Sequence, residues 1–72
     1  LPVSKARGTT IGETITNSII GFEPRININL VEVIADVEKH EYEINLEITI
    51  PEFNNNPLKI SGRLNKSGFY NY

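Results

Sequence analysis

The residues of this chain that could do chemistry are mostly carboxylates. Glu32, Asp36, Glu38, Glu41, Glu43, Glu47 and Glu52 crowd the middle of the sequence, with Lys39 the only Lys or Arg among them. A cross-strand pair such as Glu32 and Glu47 suggests glycoside hydrolysis, which needs two carboxylates about 5 to 9.5 Å apart and one of them in a dry pocket. An open acidic strand face does not desolvate an acid, so the residues read better as a solvated surface. His40 is the sole histidine and lies in a short polar stretch with Glu38 and Glu41. A metal centre needs more strong ligands than that, which leaves a solvated turn histidine.

The absence of cysteine removes disulfide, thiolate and Cys-based zinc chemistry and suits an intracellular protein that folds by packing alone. No Gly-rich phosphate loop or nucleophile elbow occurs, and no His-Asp context activates a serine or threonine. Nothing implies a cofactor or a bound metal. The net charge of -2 and its acidic centre argue against a nucleic-acid partner, which would require a basic surface. No apolar run of about 20 residues suits a membrane span.

One constellation remains, Glu23-Pro24-Arg25. Proline fixes its own φ and restricts the residue before it, so the acid and the guanidinium project from a backbone with little entropy left to lose on binding. The plainer reading, that the two charges dress a helix-to-strand turn, is favoured on residue physics alone because surface pairs contribute little.

The elements that must position these residues follow from periodicity. Leu1 to Gly8 has no apolar period and reads as an extended leader, with 9–72 as a single core. Thr10-Ile11-Gly12-Glu13 fits a capping box, which predicts a helix from about Thr10. Ile11, Ile15, Ile19 and Phe22 form one narrow apolar stripe, and Gly21 and Pro24 predict the helix end between Ile20 and Phe22. From Arg25 the period becomes two. Ile26, Ile28 and Leu30 share a face, then Val31, Val33, Ala35 and Val37, a phase change that predicts a β-bulge near Leu30 and Val31.

After a turn at Glu38–Glu41, Tyr42, Ile44, Leu46, Ile48 and Ile50 alternate with a polar face of Glu43, Asn45, Glu47 and Thr49, which completes a hairpin. Leu58, Ile60, Gly62 and Leu64 give a weaker third strand, flanked by Pro57 and read as a sheet edge able to accept a partner strand. The aromatics Phe69, Tyr70 and Tyr72 either fold back on the sheet or anchor elsewhere. The expected fold class is therefore α+β, one amphipathic helix packed on a three-stranded antiparallel β-meander.

An amphipathic helix running into "FEPRI", an alternating strand and a second strand reading "YEINLEITI" resembles the small baseplate wedge protein family of contractile phage tails. That family includes the corresponding component of type VI secretion systems. The resemblance covers about residues 10 to 52, with Glu23-Pro24-Arg25 as its most specific element. It implies a structural, non-enzymatic virion protein of the tail baseplate, assembled in the host cytoplasm. The implied partners are other wedge proteins, docked through Glu23, Pro24 and Arg25, and the tail sheath protein.

The family's likeness to the strand-exchanging part of the sheath implies that it templates the first sheath ring, for which the edge at Leu58, Ile60 and Leu64 is suited. Self-association stays open. The family's N-terminal helices have no counterpart here, so the chain reads as the C-terminal core of a longer protein. The alternative within the same family is a peptidoglycan-degrading, lysozyme-type tail enzyme.

Overall fold

Ser4, with extended φ and ψ of −151° and 159°, opens the helix: its hydroxyl oxygen accepts the Arg7 N–H at 3.2 Å. The structure, a computed structural model, describes residues 2–53 and 56–71. Helix α1 spans Lys5–Phe22, so residues 5–8 are helical rather than an extended leader, and Thr10 is not the cap. Thr10 instead turns its hydroxyl back to the Ala6 carbonyl at 3.4 Å, as Thr14 does to Thr10 and Thr16 to Gly12, both at 3.0 Å.

The helix stops where Pro24 requires, but by a different device from the one expected of Gly21, which stays inside α1. Glu23 is extended, and its N–H donates to the Ile19 carbonyl at 2.9 Å. A tight turn with Pro24 and Arg25 at its centre follows, closed by the Ile26 N–H on the Glu23 carbonyl at 3.1 Å.

Four antiparallel strands then pair in the order β1-β2-β3-β4: Asn27–Asp36, Glu41–Thr49, Pro57–Asn65 and Gly68–Asn71, with a 3-10 turn at Pro51–Phe53. The fold is α+β, with one strand more than the sequence predicts. The additional strand β4 carries Phe69 and Tyr70 of the aromatic tail folded back on β3; Tyr72 lies outside the described residues. The strand depends on two backbone features. Gly68 has φ +128°, a region that favours glycine, and the preceding turn is held by the Ser67 N–H on Asn65 Oδ1 at 2.8 Å. Gly62 lies under β4, where a Cβ would fall on the Phe69 ring and on the Tyr70 carbonyl oxygen.

The β1–β2 register shifts between Ile28 and Leu30, which places the bulge at Asn29, one residue before the predicted position. The Asn29 amide donates to Glu47 at 3.1 Å and Thr49 at 2.8 Å. The bulge keeps Ile28, Val31, Val33 and Ala35 on one side of the sheet, opposite Ile48, Leu46, Ile44 and Tyr42, and turns Leu30 and Ile34 to the other side. The hairpin loop Val37–His40 ends on His40 with φ 54°.

The helix packs against β1 through its glycines: a Cβ at Gly8 or Gly12 would sit 3.5 and 3.6 Å from the Val33 methyls. At its start, the Ser4 N–H donates to the Tyr42 hydroxyl at 3.1 Å. Tyr42, Ile44 and Ile48, all on β2, form the buried core at 7%, 6% and 8% exposure.

Leu58 and Ile60, on the same face of β3, lie beyond the helix and are each 40% exposed. The Cα radius of gyration is 13.0 Å, against about 11 Å for a compact chain of this length. The half-covered sheet accounts for that extension.

Candidate functional site

The helix-to-strand corner is held by three charges. Arg25 grips Glu23 twice, Nε to Oε1 at 3.0 Å and Nη2 to Oε2 at 3.1 Å, and its backbone N–H donates to the same Oε1 at 3.1 Å. The Arg25 Nη1 meets Glu52 Oε1 at 3.0 Å. The Glu23 carboxyl is held below its ordinary range, chiefly by the Arg25 side-chain hydrogen bond, and the guanidinium is raised by the same contact. The Arg25 side chain nevertheless remains 68% exposed. The corner presents a guanidinium fixed from two sides on a turn stiffened by Pro24, which is a preorganised polar surface.

Glu52 is the member of this corner that sequence reasoning missed, because it arrives through strand register. In the hairpin Asn27 pairs with Thr49, which sets Arg25 level with the Pro51-Glu52 turn. The two ends of the β1–β2 hairpin are thereby tied together.

The strand-edge residues divide. Strand β4 pairs with Gly62 through Asn65, so Leu64, opposite Phe69, is an interior position of the sheet and not an open edge. The sequence left open whether the tail folds back on the sheet; once it does, it takes up that half of β3. Leu58 and Ile60 belong to the other half, Pro57–Ser61, which has β2 on one side and no strand on the other among the described residues. Among the described residues strand β1 likewise pairs only with β2.

Comparison of the chain with protein-family models, with curated proteins and with solved structures finds no match.

The remaining polar cluster lies on the face of the sheet away from α1. Arg63 approaches Asp36 at 3.1 Å and Glu41 and Glu43 at 3.6 Å, with only 18% of its side chain exposed. Glu41 also accepts from the Asn65 amide at 2.9 Å and from the Tyr70 hydroxyl, which fastens β4 to β2 across β3. The Glu41 carboxyl is accordingly lowered, first by Asn65 and then by Tyr70; that of Asp36 is lowered first by the Lys39 N–H and then by Arg63.

Glu32 and Glu47 stand on the same face. Glu32 accepts from the Asn45 amide at 2.9 Å, and Glu47 accepts from Asn29 and lies 3.9 Å from the Lys59 ammonium. They are diagonal neighbours, each engaged separately. No helix of the described residues is long and apolar enough to cross a membrane.

Proposed function

We propose that this chain is a structural docking subunit, of the baseplate wedge type found in contractile tails, and works through surface contacts rather than catalysis. One observation carries the reading: the apolar strip of Leu58 and Ile60 is uncovered and lies in the Pro57–Ser61 segment of β3, whose edge away from β2 pairs with no strand among the described residues. A partner strand laid along that segment would satisfy its backbone groups and place its own alternate side chains over the strip. The sheath protein of a contractile tail is the proposed strand donor. Other wedge proteins are the proposed partners of the Glu23-Pro24-Arg25 corner, and the virion baseplate is the proposed location.

The test is a pull-down of wedge and sheath subunits by the parent chain, by Ile60→Glu and by Glu23→Ala/Arg25→Ala, with circular dichroism to establish folding. The expected result is loss of sheath capture in the first variant and of wedge capture in the second, each by about tenfold or more, as for an interface hot spot. A folded parent that captures neither subunit would overturn the reading.

A further inference from the structure

We propose that the groove between the start of α1 and the β3–β4 turn binds an acidic peptide segment carrying an apolar side chain. The groove has a volume of about 660 Å³, and Arg7, Lys39, His40 and Lys66 stand around it. That size lies in the range of about 300 to 1,000 Å³ typical of ligand sites. Ile11, Tyr42 and Leu64 also line it and give it an apolar component. No aspartate or glutamate lines it.

Charge complementarity selects the occupant. The chain has 7 Lys and Arg residues and a net charge of -2. Arg25, Lys59 and Arg63 are committed to carboxylates. Lys5, Arg7, Lys39 and Lys66 make no ion pair among the described residues, and three of these four, Arg7, Lys39 and Lys66, lie at this groove. Asp36 and Glu41 feel the Lys39 charge at longer range, but their carboxylates contact Arg63 on the other face of the sheet.

The first turn of α1 contains Lys5 and Arg7 and no acid, the reverse of what the helix dipole favours, so a bound carboxylate would relieve an unfavourable local field. The Tyr42 hydroxyl points to the same chemistry. It accepts from the Ser4 N–H at 3.1 Å and donates to no group among the described residues, which leaves its proton for an acceptor.

A polyanion without apolar groups would use the rim and leave the Ile11 and Leu64 surface wet, and the carboxylates of the sheet would repel a long nucleic acid. An acidic peptide with one Leu or Phe fits both parts of the groove.

The experiment is fluorescence anisotropy with labelled acetyl-EEELFEE-amide and the 72-residue chain, at low and at 0.3 M salt. Saturable binding that weakens with salt is expected. It should fall about tenfold or more in Arg7→Gln/Lys39→Gln/Lys66→Gln and stay within about twofold in the off-groove control Arg25→Gln/Lys59→Gln, circular dichroism showing both folded. The peptide acetyl-EEEGGEE-amide, which lacks the apolar pair, should bind several-fold more weakly. Absence of saturable binding, equal loss in both variants, equal affinity for the two peptides, or tighter binding of a single-stranded oligothymidylate would each overturn the proposal.

Discussion

At the scale of single residues, Arg25 shows how far local sequence carries a site. The stiffness of its turn is legible because Pro24 restricts Glu23 whatever the rest of the fold does. That the guanidinium is already engaged by Glu23 and Glu52 is not, because Glu52 arrives through the register of a hairpin 27 positions away in sequence. The pair is exposed and so contributes little stability, and Arg25→Ala should move the melting temperature by no more than about 4 °C. The Glu23 carboxyl reports the pair more directly. Followed by NMR through an acid titration, it should titrate below 4.5 in the parent and move up towards 4.5 in Arg25→Ala. An unchanged midpoint would mean that the contact does not form in solution.

At the scale of elements, the strands were more legible than the helix. A period of two exposes the β1–β2 hairpin and even the bulge, since the apolar residues must change parity to stay on one side. The helix start was misread because Ser4 and Thr10 offer the same capping chemistry, and choosing between them depends on whether residues 5–9 find a surface to pack on. They do, through Gly8, a residue without a side chain that hydrophobic periodicity does not register.

The space over Gly12 admits a methyl, with 3.6 Å to Val33 and 3.8 Å to Val31. Gly12→Ala should therefore stabilise the protein by roughly 0.5–1 kcal/mol through helix propensity alone, a rise of about 2–8 °C in melting temperature. A fall would show that the helix sits closer to β1 than these distances give.

Strand β4 was half legible: a return of its aromatics on the sheet was one of two open readings, and so short a strand carries too little period to decide between them. Its attachment depends on Gly62. Gly62→Ala should displace it, with amide exchange in Gly68–Asn71 faster by about tenfold or more and the β1–β2 amides unchanged, as expected for a separate opening unit. Uniform acceleration through the sheet would indicate that β4 does not open separately.

At the scale of the whole molecule, a core of three side chains on one strand leaves much of the specificity to the polar face. Arg63 holds Asp36, Glu41 and Glu43 there, and the arrangement was illegible because the four residues lie on three different strands joined only by register. Glu23, Asp36 and Glu41 all have carboxyls lowered in the folded state. The unfolded chain therefore binds more protons in acid. Their contribution is complete above the unfolded values of 4.5 for Glu and 3.8 for Asp and is lost as pH falls through the lower folded values. Thermal melts should accordingly show a lower midpoint at pH 3 than at pH 7.

Removing the guanidinium should reverse part of that trend. In Arg63→Gln three carboxylates lose the guanidinium that lies among them at pH 7, and protonation in acid weakens their mutual repulsion. The variant should lose roughly 5 °C or more relative to the parent at pH 7 and less at pH 3. An equal loss at both pH values would assign Arg63 a packing role through its stem, and the acidic face of the sheet would then be held together by its amides and by Tyr70 instead.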